Sequence, residues 1–356
     1  MERSELIQGL SDMMKYPNPN MLLYIAIGDA YAAATEYIKL PEHQSVLDEA
    51  LKFEKYCKHP IHTDLSPGRY TDDTEMSVAN ALVLIENKPP YTPLMFANAW
   101  VREFTRGGQR KGYSRKFQEF LECTKTGQEF LANINPNSNK NGAAMRSVPL
   151  GVLRTVPEVL EVATMQAAIT HNTPEGLFSA RAVALMSHYM LYEVEEDKDW
   201  YLHDLRDYCS SKLPEGDIKR FGEVFSIENS WGSRPVVGTQ EESVAISTVR
   251  AVVQLLVSAS ALETLMPMLK EVIYMGGDTD SVAAIALGIA SGRRPKRELA
   301  GLPLFMPINL EHGNPKTGAK YLLDVGTQLM EKFSGDGSYT YGQQKIGTLK
   351  LEIKKP

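Results

Sequence analysis

Gly276-Gly277-Asp278-Thr279-Asp280-Ser281-Val282-Ala283-Ala284-Ile285-Ala286 reads in two halves. The second half is apolar and alanine-rich with no strand-like alternation, and it predicts a helix over 280–290. Its small side chains let neighbouring helices approach closely, so it belongs inside a bundle of many helices. The first half sets Asp278 and Asp280 on either side of Thr279, just before that helix, and two glycines let the chain turn tightly. Far upstream the pattern recurs: Thr71-Asp72-Asp73-Thr74 leads into a second helical run. Alone, Thr71 and the two aspartates read as an ordinary helix N-cap. The second cluster shifts the balance, because adjacent like charges are tolerated cheaply only when solvated or sharing cations. An all-oxygen donor set of this kind suits hard divalent ions.

Working outward, helical periodicity covers 21–39, 45–57, 73–86, 93–106, 114–132, 142–153, 158–169, 174–192, 198–211, 240–257, 260–272 and 280–290. Strands do not alternate with helices, which excludes a doubly wound nucleotide-binding sheet. The fold class is all-α, with one helical domain over 21–333. Residues 1–20 read as an N-terminal leader, and 212–239, with scattered Gly and Pro, as an irregular surface excursion. The tail, 334–356, alternates at period two around Tyr339-Thr340-Tyr341-Gly342 and predicts a small β-hairpin.

Composition narrows the function classes. A net charge of −6 argues against broad nucleic-acid binding, and only Gly292-Arg293-Arg294-Pro295-Lys296-Arg297 forms a compact basic run, read as a solvated loop. Cys57, Cys123 and Cys209 form no CxxC pair, so neither a disulfide framework nor a thiolate zinc site is expected, and a reducing cytoplasm fits best. The apolar stretch from Met21 to Ala34 contains Asp29 and falls short of membrane-spanning length. No export signal and no membrane association are expected.

Other segments carry weaker chemistry. Asp29 and Glu36 lie seven apart in a helical pattern, hence on roughly one face, either as partly exposed acids or as buried ones needing a partner or metal. Asn137-Ser138-Asn139-Lys140-Asn141-Gly142 offers backbone N–H groups to phosphate oxygens, or simply caps the next helix. Gly112-Tyr113-Ser114, amid Arg110, Lys111 and Arg115, is either a basic surface loop or a second phosphate-friendly one. His171 is either a structural histidine at a helix–loop junction or a partner for a sugar hydroxyl.

Taken in order, Gly28-Asp29…Glu36, Thr71-Asp72-Asp73-Thr74-Glu75-Met76, Asn141-Gly142-Ala143-Ala144-Met145-Arg146, Thr170-His171 and Gly276-Gly277-Asp278-Thr279-Asp280 resemble the ADP-ribosylglycohydrolases. The resemblance spans about residues 21–295. It implies a compact orthogonal multi-helix bundle with two divalent cations, Mg²⁺ or Mn²⁺, in an ADP-ribose cleft. Thr71, Asp72, Asp73, Asp278, Asp280 and Ser281 would ligate the metals, Ser281 replacing a usual threonine. Glu36 would handle the proton, and Asp72 and Asp278 would join it in the catalytic set. Ser138, Asn139, Lys140, Asn141 and Gly142 would cradle the diphosphate, with Met145 beside them and His171 on the distal ribose. Gly112 and Tyr113 would line the proximal side. No aspartate falls between Asp73 and Asp197, whereas arginine-directed members can carry an extra acid in that middle region; Glu103 is the candidate substitute.

The activity this implies is hydrolysis of an ADP-ribosyl bond at the anomeric carbon through an oxocarbenium-like state. The expected substrate is an ADP-ribosylated protein modified on arginine. The alternatives are serine-, nucleic-acid- or small-molecule-linked ADP-ribose, or an immunity protein that binds and inhibits an ADP-ribosyltransferase. A cytoplasmic monomer is expected.

Overall fold

Every residue of the helix Met21–Ala32 is buried, including Asp29, so this helix is the axis around which the others pack. It is apolar on all sides, as a central core helix must be. The computed structural model describes residues 19–193, 202–226, 242–257, 265–292, 301–334, 340–341 and 344–345. Among the described residues there are sixteen α-helices. The first eight are α1 (Met21–Ala32), α2 (Gln44–Ala50), α3 (Asp72–Glu86), α4 (Pro93–Arg106), α5 (Arg115–Cys123), α6 (Gly127–Asn133), α7 (Gly142–Met145) and α8 (Val156–Ala168). The rest are α9 (Pro174–Tyr192), α10 (Leu202–Lys212), α11 (Glu215–Phe221), α12 (Val244–Val257), α13 (Leu265–Met275), α14 (Thr279–Ser291), α15 (Phe305–Asn309) and α16 (Ala319–Ser334). The all-α bundle expected from periodicity is the fold observed. None of the described helices is long and apolar enough to cross a membrane.

α14, the helix of the opening stretch, lies directly against α1. A Cβ on Gly28 would sit 2.6 Å from the Ala283 carbonyl oxygen, and one on Gly288 would sit 2.5 Å from Ile25. The two backbones therefore approach closer than any larger side chain allows. α3 is held at both ends by other helices. Asp29 of α1 accepts from the backbone N–H groups of Thr71 and Thr74 at its N-terminus. Lys332 of α16 donates to the carbonyls of Leu84 and Ile85 at its C-terminus. A carboxylate at the positive end and an ammonium at the negative end both complement the helix dipole.

Several elements differ from the sequence expectation. The helix expected over 21–39 ends early: a 3-10 turn covers Ala33–Thr35, and Tyr37 takes a positive φ of 46°. Glu36 has left the helix, so it does not share a helical face with Asp29. The segment 114–132 is two helices, because Thr126 caps a new start by accepting from Glu129 N. The segment 142–153 breaks after Met145 into a 3-10 turn over Val148–Val152 that accommodates Pro149. The excursion over 212–239 is helical in its first part: Pro214 and Gly222 bracket α11, and Arg181 grips Asp217 through two bonds of 2.8 Å; its part from 227 on lies outside the described residues. α16 was not anticipated. The tail shows one short antiparallel pairing, Thr340–Tyr341 with Gln344–Lys345. The leader up to residue 18, the basic run beyond Gly292 and the remaining tail lie outside the described residues.

Candidate active site

The site grows from the capping of α3. Asp29 is fully buried and receives four donors: the backbone N–H and the hydroxyl of Thr71, and the same pair from Thr74, with the shortest contact 2.6 Å from Thr74 Oγ1. Burial raises the Asp29 carboxyl to about 6 against the pull of these hydrogen bonds. This cap comes from another helix, and it fixes where Asp72 and Asp73 emerge. Thr71 Oγ1 also lies 3.2 Å from Asp73 Oδ2, so its side chain is engaged within this cap.

α14 brings the second acidic wall. Gly276 and Gly277 both have positive φ, 72° and 76°, and turn the chain so that Asp278 and Asp280 enter the same space. Asp278 Oδ2 accepts from Tyr37 Oη at 3.2 Å and from Asn141 Nδ2 at 3.1 Å. Tyr37 N in turn donates to the Gly277 carbonyl at 2.8 Å, which stitches the end of the first helical segment to the turn before α14. His59 completes the clamp. Its Nδ1 accepts from the backbone N–H of Ile61 and His62, so Nε2 carries the proton and donates to the Glu36 carbonyl at 2.8 Å.

These constraints converge. One carboxylate oxygen each from Glu36, Asp278 and Asp280 falls within 4.8 Å of the others. Among the described residues, Asp73 Oδ1 is buried with no hydrogen-bond partner. Burial, then the Asp278, Asp72 and Asp29 charges, push the Glu36 carboxyl up to about 8. Burial and neighbouring acids likewise hold Asp72, Asp73 and Asp280 well above the usual carboxylate range. Carboxylates crowded this way, one with an orphaned oxygen, fit a divalent-cation site: the charge and the missing partner are what a hard cation supplies.

A cleft of about 620 Å³ opens over this cluster. Its acidic end is lined by Glu36, Asp72, Asp73, Asp278, Asp280 and Ser281. Further along, Gly112 and then Ser138, Lys140, Asn141, Gly142, Met145 and His171 form its sides. Three of the expected site residues do not line it. Thr71 is occupied with Asp29, Tyr113 turns its hydroxyl to Glu75 at 2.8 Å, and Asn139 is exposed beyond the rim. Sequence reasoning passed over Tyr37, the buried Arg146, and an apolar wall of Phe117, Phe120 and Ile134. The i, i+3 spacing of Phe117 and Phe120 on α5 is the signal that could have found the wall.

Gly112 is required by contact as well as conformation. Its φ is +127°, and a Cβ there would lie 2.6 Å from Thr71 Cβ. Gly112→Ala is therefore expected to lose about 1–3 kcal/mol of stability and to displace Thr71 from its cap. Denaturant melts together with substrate affinity check this; a variant matching the parent in both would contradict it.

The ADP-ribosylglycohydrolase family model matches residues 20–293. The chain belongs to the ADP-ribosylglycohydrolase family, and with the family comes hydrolysis of an ADP-ribosyl linkage. It is 26% identical over 302 residues to ADP-ribosylhydrolase ARH3 of Xenopus tropicalis, covering 74% of this chain and 82% of that protein. It is 25% identical over 291 residues to an uncharacterized protein of Archaeoglobus fulgidus, covering 80% of this chain and 90% of the relative. In fold it is similar to a solved structure described as an ADP-ribosylglycohydrolase-related protein complex, with a TM-score of 0.62, 19% identity, and coverage of 90% of this chain and 99% of that one.

Proposed function

We propose that this protein releases ADP-ribose from a modified acceptor, protein arginine first, at a site that holds two divalent cations, Mg²⁺ or Mn²⁺. The observation that carries the reading is the convergence of Glu36, Asp72, Asp73, Asp278 and Asp280 in a cleft that the Ser138–Gly142 loop also lines, with Asn141 bonded to Asp278. Asp72, Asp73, Asp278, Asp280 and Ser281 are the residues that would hold the cations; Thr71, occupied with Asp29, would act only by fixing where Asp72 and Asp73 emerge. Bound there, the cations would supply positive charge that orients ribose hydroxyls and makes the attacking water more acidic.

The chain's own groups do the rest. Asn141 and Tyr37 hold Asp278 in place from opposite segments. The Ser138–Gly142 loop and Met145 would seat the diphosphate. Glu36 has a carboxyl high enough to keep a proton near neutrality; compensating the charge of its neighbours lowers it into the range where one group can both take and give a proton. It would serve the departing acceptor and the incoming water in turn.

One observation favours a second reading, in which the linkage is to serine, nucleic acid or a small molecule. Glu103, the candidate extra acid for an arginine acceptor, is buried away from the cleft, 2.6 Å from Arg106 Nε and 3.0 Å from Tyr321 Oη. Incubating the full chain with ADP-ribosylated arginine, serine and nucleic-acid substrates, with and without Mg²⁺, separates the readings by the ADP-ribose released. Metal-independent release, or none on any substrate, would sink the proposal. Inhibition of an ADP-ribosyltransferase by a variant lacking the metal-site acids would instead favour the inhibitor role.

Cation binding should also appear in stability. Glu36, with its carboxyl raised from 4.5 to about 8, contributes stability that is full below pH 4.5 and lost as pH rises through 8. The chelator-treated protein is therefore expected to melt at progressively lower temperature from pH 5 to pH 8. Added Mg²⁺ or Mn²⁺ should recover more of the loss at pH 8 than at pH 5, since ligands must be deprotonated to bind. A melting temperature insensitive to both pH and cation would contradict this.

A further inference from the structure

Arg146 is a cation sunk into the wall of the cleft, 1% exposed, and among the described residues its guanidinium meets no carboxylate. It stacks on the Trp100 ring at 4.1 Å, and its donors are spent on neutral acceptors: Gln166 Oε1 at 2.6 Å, the Gln166 carbonyl at 3.2 Å and Thr170 Oγ1 at 2.7 Å. Thr170 Oγ1 also lies 2.7 Å from His171 Nδ1.

Proton bookkeeping along this chain has one satisfied solution. A guanidinium N–H can only donate, so Thr170 Oγ1 accepts from Arg146. The Thr170 hydroxyl proton then goes to His171 Nδ1, which must be bare. The reverse arrangement, with a proton on Nδ1, aims two donors at one hydroxyl and leaves the Thr170 O–H a buried donor without an acceptor. The His171 proton therefore sits on Nε2. That edge of the ring faces the start of α7, where a Cβ on Gly142 would lie 3.0 Å from Nε2 and 2.9 Å from Cε1. Gly176 closes on the opposite side, its Cβ position being 2.6 Å from His171 Cβ. The ring is fixed between two glycines with its proton toward the Ser138–Gly142 loop.

We infer that Arg146 and Thr170 are positioning residues that lock His171 as a neutral Nε2–H donor, presented to an oxygen of the bound ADP-ribose. This rests on the ADP-ribose reading only for the identity of the ligand. Burial, and then the Arg146 charge, lower His171 to about 3, so the ring stays neutral across the physiological range and recognises oxygen acceptors without adding charge.

The test uses the full chain with ¹⁵N-labelled histidine. Long-range ¹H–¹⁵N spectra resolve the tautomers of its seven histidines, with His171→Asn assigning the signal. His171 is expected as the Nε2–H tautomer from pH 5 to pH 8. Thr170→Val should mix the tautomers and weaken ADP-ribose binding by roughly five- to tenfold, the loss of one buried hydrogen bond. Thr170→Ser, which keeps the hydroxyl, should restore both. A wild-type His171 protonated on Nδ1, or doubly protonated at neutral pH, overturns the inference. So does a Thr170→Val protein with unchanged tautomer and affinity. If Thr170→Val does not fold, the wild-type spectrum decides alone. If the wild type does not bind ADP-ribose, the substrate reading falls, and the spectrum still decides the relay.

Discussion

Replacing Asp278 by asparagine is expected to cut turnover on the order of a thousandfold while leaving the fold intact. Asparagine keeps the shape of the side chain and an oxygen that can still accept from Tyr37 Oη and Asn141 Nδ2, so the local hydrogen bonds survive. What goes is one negative charge from a cluster in which Asp278, Glu36 and Asp280 oxygens lie within 4.8 Å. The proposed cation site loses affinity with each charge removed, and the proposed chemistry fails with it. Titration calorimetry with Mn²⁺ should show weakened cation binding, and far-UV circular dichroism should match the parent. Parental turnover in Asp278→Asn would remove this residue from the site.

The largest stability effect is expected away from the cleft, at Arg110. Its side chain is 2% exposed and bridges two equally buried acids, Glu75 at 2.9 Å and Glu311 at 2.9 Å. It also donates to the Tyr70 carbonyl at 2.6 Å and lies 3.8 Å above the Tyr70 ring. Arg110→Met leaves Glu75 buried without its cation and Glu311 with only the part-exposed Arg69, 3.8 Å away. Breaking a buried pair from one side costs about 3–5 kcal/mol, far more than the intact pair contributes relative to an apolar replacement. Adding Glu75→Gln and Glu311→Gln to Arg110→Met should therefore recover part of the loss, which denaturant unfolding of the single and triple variants would measure. A single variant within 1 kcal/mol of the parent would contradict this account. The loop should loosen as well, since Glu75 also accepts from Tyr113 Oη beside Gly112.

Much of this was legible locally. Asp72 and Asp73 open α3, and Asp278 and Asp280 flank the start of α14, where two glycines and hydroxyl neighbours announced a turn into a helix. Capping chemistry and apolar periodicity act over a few residues, so they can be read from a few residues. Glu36 was legible as a candidate acid but not in its setting. Helical spacing placed it on the face of Asp29, whereas the helix gives way to a 3-10 turn and Glu36 itself takes a non-helical ψ of 123° before the positive φ of Tyr37. Tyr113 was placed in the substrate loop, yet its hydroxyl turns inward because Glu75 is the buried acceptor that needs it. α16 escaped notice, although its Lys332 caps α3.

By itself, then, the sequence determined that this chain is helical, where its acid-bearing helix starts fall, and that those starts offer an all-oxygen donor set of the kind hard cations prefer. The tertiary structure decided which groups satisfy one another: Asp29 capping a helix whose N-cap, Thr71, lies 42 residues later, Arg110 joining Glu75 to Glu311, and Arg146 setting the proton of His171 through Thr170. The reason is physical. Helix starts and turns follow from backbone preferences and near neighbours, but a buried charge or donor must find its partner wherever packing delivers one, and that partner is chosen by the whole fold.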